Sequence, residues 1–308
     1  MQVLVMILSK RDNQSNYLTG NQKRCIWSLI VQQLAINHQP STFGTILKQW
    51  RDRRSLSQLD LALISQVSQR HISFLESGRA KPSQEMVLQL ATVLEIPLRH
   101  QNLMLSSAGF APIHSETDLS APEMASVYKA INFMLHQQEP YPAIVIDRYW
   151  NLLLTNQGSA RLLSTFIDPD KLQSRFCIDG KINLMRVVFD PQGLRPFISN
   201  WEEVARHLLQ RTYREANSSI ESEQSALLFN ELLSYPDASE LWNTSSHAEQ
   251  HTLLLTMHLK KSNLNWQFFS TIATLGTPYD ITLQEIRIEC FFPADAETEN
   301  DWKKENSI

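Results

Sequence analysis

The sequence predicts two domains of different class: a five-helix, all-α unit over residues 41–112, then an α+β unit over residues 121–295 built on an antiparallel sheet. Three observations predict this. Apolar residues recur at helical spacing, behind good N-cap residues, five times between Thr45 and Phe110, with turns of a few residues between. The stretch "APIHSETDLSAPE" (Ala111 to Glu123), with two prolines and several polar residues, then interrupts the pattern, and a linker is expected at residues 113–120. Beyond it come two apolar runs, several helical patterns and three runs rich in β-branched and aromatic residues, the order of an α+β domain. With 308 residues, 43% of them hydrophobic, the chain is long enough for two cores.

Residues 1–40 show no clear architecture and are expected to form a poorly ordered extension, although "KRCIWSLIVQQLAI" could make a short helix. The opening run VLVMIL is far short of the ~20 residues needed to cross a bilayer, and no small-residue cleavage site follows it. No membrane partner is expected.

The first helix of the pattern carries Ile46, Leu47 and Trp50 on one side and ends in Arg51, Arg53 and Arg54, where cations suit the negative end of the dipole. In "LSQLDLALIS", Ser57 is an N-cap with Asp60 as its capping-box partner, and Leu61 and Ala62 face inward. Ser68 opens the next helix, Ile72 and Leu75 form its buried stripe, and Gly78 is placed to end it left-handed. "KPSQEMVLQLATVLEIP" gives a fourth helix, with Ser83 as N-cap and Pro97 beyond its end, and "PLRHQNLMLSSAGF" gives a fifth.

In the second unit a helix runs through "MASVYKAINFMLHQQ", and "YPAIVIDRYWNLLLTN" reads as a hairpin about Asp147-Arg148. Helical patterns occupy residues 157–166, 184–189, 201–216 and 222–234. Three strands follow in "HTLLLTMHLKK", "NWQFFSTIATLG" and "QEIRIECFF". In the last, Ile286, Ile288, Cys290 and Phe292 alternate with Glu285, Arg287 and Glu289, which predicts one wet face. Residues 296–308 are expected to be a disordered tail.

The helices at Ser57–Ser65 and Ser68–Ser77 have the spacing of a helix-turn-helix, whose second helix enters the major groove of double-stranded DNA. The outward residues at its start are Ser68, Gln69, Arg70, His71 and Ser73. Gln can pair with adenine and Arg with guanine in two hydrogen bonds each, for ~1–3 kcal/mol of discrimination. Gln58 is placed to hold a phosphate at the start of the preceding helix, and Arg79 and Lys81 to touch the backbone. Charge agrees. Residues 1–40 carry four Lys/Arg against one Asp and residues 41–110 eight against five, while residues 111–308 carry sixteen against twenty-six. Spacing and charge alone fit a protein-binding helical module as well.

"LSQLDLALISQVSQRHISFLESGRAKPSQEMVLQLATVLEIPLRHQNLMLSSAGFAP" resembles the Xre/Cro-type helix-turn-helix of bacterial MmyB-like transcription regulators. The similarity continues through "EPYPAIVIDRYWNLLLTN", "GLRPFISNWEEVARHLL" and "FFSTIATLGTPYDITLQEIRIECFFPAD", so it covers about Phe43 to Asp295. The resemblance implies a PAS-like second domain that senses a small apolar ligand such as a fatty acid. It implies no other cofactor. A homodimer is expected, since symmetric dimers suit palindromic half-sites roughly 34 Å apart. The sequence departs from the family at Gln66, where such chains usually have Gly; if that turn needs φ > 0, the departure costs about 1 kcal/mol.

Alternation suggests the walls of a ligand chamber. Ile144, Ile146, Trp150, Leu152 and Leu154 would share one face of the hairpin, and Leu253, Leu255, Met257 and Leu259 one face of the next strand, with Phe268 beside them. Enzyme chemistry has little support, and none is expected. "HAEQH" spaces His247 and His251 as a metal pair, but the residue after the first is Ala248 where a metalloprotease needs Glu. The chain has eight glycines and no G-x-G run. Three cysteines, Cys25, Cys177 and Cys290, fit neither a zinc spacing nor a disulfide framework, so a reducing, cytoplasmic setting is expected.

Overall fold

A computed structural model of the chain describes residues 42–218, 223–244, 254–276 and 278–305. Five helices make the first domain: α1 (Phe43–Arg53), α2 (Gln58–Ser65), α3 (Gln69–Glu76), α4 (Gln84–Val93) and α5 (Leu98–Ser107). The extension expected at residues 1–40 lies outside the described residues. Ser57, Ser68 and Ser83 each cap a helix through the side-chain oxygen, and Ser57 with Asp60 forms the full capping box. Ile46, Leu47, Leu61, Ile72, Leu75, Val87, Leu90 and Leu105 close the core with almost no exposure. Gly44 lets α1 approach the end of α3. A Cβ there would stand 2.5 Å from the Leu75 and Glu76 carbonyl oxygens.

Gln66, between α2 and α3, takes the left-handed conformation, φ 55° and ψ 30°. The turn therefore does demand positive φ, and this chain meets the demand with a non-glycine residue at a cost of about 1 kcal/mol. Gly78, φ +72°, ends α3 left-handed as the sequence predicts.

The second domain opens with a short 3-10 turn (Pro122–Met124) and α6 (Ala125–Gln137), then β1 (Ala143–Ile146) and β2 (Leu152–Thr155). α7 (Gln157–Phe166), α8 (Pro169–Phe176), a two-residue hairpin of β3 (Cys177–Ile178) and β4 (Lys181–Ile182), α9 (Leu184–Phe189), α10 (Trp201–Ser218), α11 (Glu223–Leu233) and α12 (Ala238–Asn243) follow. β5 (Thr256–Lys261), β6 (Leu264–Ala273), α13 (Ile281–Glu285), β7 (Arg287–Pro293) and α14 (Ala296–Glu305) complete it. The five long strands form one antiparallel sheet in the order β2-β1-β7-β6-β5. One face packs on Ile131 and Leu135 of α6; the other carries the larger core beneath α7 to α12.

Three sequence expectations are overturned. The tail is not disordered: α14 buries Trp302, 1% exposed, whose ring meets those of Trp266 and Phe268 at 5.0 and 5.4 Å. Its indole N–H donates to the Pro140 carbonyl at 2.9 Å, a tertiary bond invisible in a composition dominated by charge. The face of β7 expected to be wet is covered: Glu289 is 4% exposed and Arg287 half-buried, because α10 brings Arg211 and Glu215 against them. The hairpin does not alternate regularly. Val145 pairs with Leu154 but Ile146 with Leu152, so a bulge at Leu153 turns Leu154 to the opposite face.

Candidate functional site

Helix α3 is held to its domain by Ile72 and Leu75, 0% and 1% exposed, and started by Ser68, whose Oγ accepts from the His71 N–H at 3.2 Å. This leaves Ser68, Gln69 and Arg70 exposed and His71 and Ser73 half-buried, with Arg79 and Lys81 exposed just beyond the helix. All seven side chains expected to face DNA at and after α3 are thus open to solvent at least in part. Phe74 was not among them. Arg70 lies over its ring at 5.3 Å and Arg79 at 5.9 Å. The signal in the sequence is the i, i+4 spacing of Arg70 and Phe74.

Gln58 differs from expectation. Its amide donates to Glu76 Oε2 at 2.8 Å, so at most its second N–H remains for a phosphate. Arg51 sits in the last turn of α1 as expected, but it is buried there, 8% exposed. It binds Glu76 through Nε and Nη2 at 2.6 and 3.1 Å and donates to the Leu56 carbonyl. This pair, with Gln58, fastens α1 and α2 to the end of α3.

Of the ten residues expected to line a ligand chamber, eight pack in or against one core. Ile144, Ile146, Trp150, Leu259 and Phe268 are buried beneath the helices, and Leu152, Leu255 and Met257 are half-buried against it. Leu154 is the exception, turned by the bulge toward the α6 side. Leu253 lies outside the described residues.

At the hairpin end of this core Trp150 takes φ 67°, a conformation that L side chains rarely adopt. Asp147 organises the turn, accepting from the Tyr149 and Asn151 N–H groups at 2.8 and 2.9 Å. Arg211 and Arg287 lie over the Trp150 ring, 4.2 and 4.6 Å from its centroid, and its indole N–H donates to Glu215 at 2.8 Å. Glu215 also binds Arg211 and Arg287, and Arg211 reaches Glu289 at 3.1 Å. The Nε of Arg287 is a buried donor with no acceptor among the described residues.

The two domains meet where α5 touches α13. The Leu98 N–H donates to Gln284 Oε1 at 2.8 Å, and Arg99 binds both Glu285 and Glu116 through paired N–H groups. Hydrogen bonding to these carboxylates raises the Arg99 guanidinium above its ordinary range. Arg148 joins the same Glu285 oxygen at 2.8 Å. The linker is fastened too. Asp280 accepts from Ser115 and Thr117 and caps α13. Burial raises the Asp280 carboxyl, but those bonds outweigh it and leave it below the usual carboxylate range. Behind Arg99, His100 is buried edge-on to Trp50, centroids 5.3 Å apart. Burial first, then the Arg148 charge, pushes its imidazole down to about 4.

A cleft of about 520 Å³ lies along this junction, lined by Arg99, Arg148, Lys181, Tyr128, Leu153 and Leu154 among others. A second, of about 440 Å³, opens beside Asn183, Arg186 and Glu231. Among the described residues no group of three or more His, Cys, Asp or Glu could hold a metal ion, and no helix is long and apolar enough to cross a membrane. His247 and His251 lie outside the described residues.

Comparison with known protein families places both halves. Residues 127–302 match the model described as the MmyB-like transcription regulator ligand binding domain. Residues 47–101 match the helix-turn-helix model. No curated protein matches the chain.

Proposed function

The chain belongs to the family of MmyB-like transcription regulators, and from that premise we propose that it reads a specific operator through α3 and senses a small, largely apolar ligand in the core of its second domain. As a DNA reader it acts in the cytoplasm, as a homodimer on palindromic half-sites roughly 34 Å apart. Gln69, Arg70, His71 and Ser73 meet base edges, and Ser68, Arg79, Lys81 and the remaining donor of Gln58 meet phosphates.

The observation that carries the reading is the continuity between the two sites. Glu285, which holds α5, stands two residues before Arg287, which holds the Trp150 ring. A change in packing around Trp150 therefore reaches α5 through the start of β7, with no further element between. The strained backbone at Trp150 supports this, because strain of that kind persists only where the surroundings over-determine it. The side chains read as the chamber walls, Ile144, Ile146, Phe268, Met257 and Leu255, would suit an apolar body. The open N–H of Arg287 suits an acceptor such as a carboxylate. A fatty acid has both. To switch operator affinity 100-fold the ligand must prefer one state by about 2.7 kcal/mol.

A second reading has one observation in its favour. Leu59, Leu63 and Ile64 on α2 are 51%, 69% and 52% exposed, an apolar surface suited to a protein partner. The two readings separate in one experiment. A fluorescent duplex selected from a randomised library by the protein itself is titrated across a salt series, with and without palmitate. The DNA reading expects affinity to fall steeply and linearly in log–log form with salt, and palmitate to shift it. Failure to retain any duplex at low salt removes the DNA reading in favour of protein docking. Unchanged affinity with palmitate bound removes the sensing half.

A further inference from the structure

We propose that Phe74 is the positioning residue of the DNA interface, holding Arg70 and Arg79 over one ring so that both keep their N–H edges free for DNA. The proposal rests on the DNA reading of α3 given above and says how that surface is kept in order.

The argument starts from what happens to guanidinium groups elsewhere in the molecule. Arg51, Arg99, Arg175, Arg186 and Arg211 each place N–H groups on a carboxylate. A guanidinium held in this way has little left to offer a base. Arg70 and Arg79 are different. Among the described residues neither is paired with a carboxylate, and both lie over Phe74, at 5.3 and 5.9 Å. An aromatic face binds the flat face of the cation and leaves the donor edge free, the edge that matches guanine O6 and N7 or a phosphate.

Phe74 also holds the chain that carries Arg79. Its carbonyl accepts from the Arg79 N–H at 2.8 Å and the Ala80 N–H at 3.2 Å, across the left-handed Gly78. Arg70 is reached from the other direction, one helical turn earlier at i, i+4. Its flanking residues Ile72 and Leu75 account for the core contact of α3 and are buried to 0% and 1% exposure, whereas Phe74 is only half-buried. A half-buried aromatic between two open arginines is more ring than the core requires. Long arginine side chains otherwise lose rotamer freedom on meeting DNA, and a preset orientation reduces that cost.

The test is a double-mutant cycle in the full chain. A duplex selected by the wild type from a randomised library competes against a random-sequence duplex, and the ratio of affinities is measured for wild type, Phe74→Leu, Phe74→Tyr, Arg70→Ala and Phe74→Leu with Arg70→Ala. Thermal unfolding checks that each variant is folded. Phe74→Leu, which keeps an apolar side chain, is expected to lose about fivefold in the ratio while binding to the random duplex falls much less. Phe74→Tyr, which keeps the ring, restores the wild-type ratio. In this ratio the double variant loses no more than Arg70→Ala alone, because the phosphate contact of Arg79 is common to both duplexes and Phe74 acts on preference through Arg70. Additive losses, or a Tyr variant as poor as Leu, overturn the proposal while leaving the DNA reading intact. A wild type without any preference between the duplexes overturns both.

Discussion

On and just after α3, Arg70 and Arg79 lie over an aromatic ring with no carboxylate partner among the described residues, whereas at the junction and in the sheet Arg99, Arg148, Arg211 and Arg287 are bound to Glu116, Glu285, Glu289 and Glu215. The same residue type is open in one region and closed in the other. Burial decides the difference. Glu285 and Glu289 have side chains 16% and 5% exposed, so their charges need a partner in place. At α3 the guanidinium groups face water, where an ion pair would contribute little and would compete with DNA. Net charge alone reports a basic front and an acidic rear; the pairing shows in addition that the arginines at the junction and in the sheet are already held by carboxylates.

The contrast breaks most sharply in the sheet. Arg211→Met leaves Glu289 buried without the partner it has now, and about 3 kcal/mol of stability is expected to be lost in urea unfolding. Any folded protein should keep its preference between duplexes. Acid acts on the same closed set from another side. His100 stays neutral when folded down to about pH 4, while in the unfolded chain it takes up a proton near pH 6.5. Because its folded value is depressed, its contribution is fully present above pH 6.5 and is lost as pH falls toward 4. The loss amounts to about 2–3 kcal/mol, since a protonated His100 would be a buried charge, and one set beside Arg148, Arg53 and Arg99 with Glu285 alone to offset them. His100→Phe, which still packs on Trp50, should flatten stability across that window.

At the junction, Arg99→Ala removes contacts that are only partly buried, so about 1–2 kcal/mol is expected. Its signature in calorimetry is a separation of the transitions of the two domains. A single unsplit transition, unmoved, would mean that the Arg99 cluster couples nothing. The smallest effect belongs to the turn that sets the pose of the open arginines. Gln66→Gly relieves the left-handed backbone, and a gain of about 0.5–1 kcal/mol is expected in thermal unfolding.

Most of the helical domain was legible because its signals are local. Caps at Ser57, Ser68 and Ser83, the capping box at Asp60, and the left-handed Gly78 each depend on residues within one turn. The family pattern likewise marks Gln66, which takes φ 55°. What escaped is non-local. The partners of Arg51 and Gln58 lie 25 and 18 residues away at Glu76. The cover on Glu289 comes from Arg211, 78 residues away, so a strand with one charged row read as half-wet. Trp302 reaches the Pro140 carbonyl from 162 residues away, through a helix whose composition alone suggests a solvated tail. The bulge at Leu153 carries no glycine or proline to announce it, and a single extra residue was enough to put Leu154 on the wrong face.

The two uses of arginine can be separated in one competition assay, in which Arg70→Ala and Arg99→Ala are compared with wild type for preference between a selected and a random duplex. Arg70→Ala is expected to lose about 1–3 kcal/mol of that preference, the share of one base contact, while Arg99→Ala keeps it whole. An undiminished preference in Arg70→Ala, or a diminished one in Arg99→Ala, would contradict the separation.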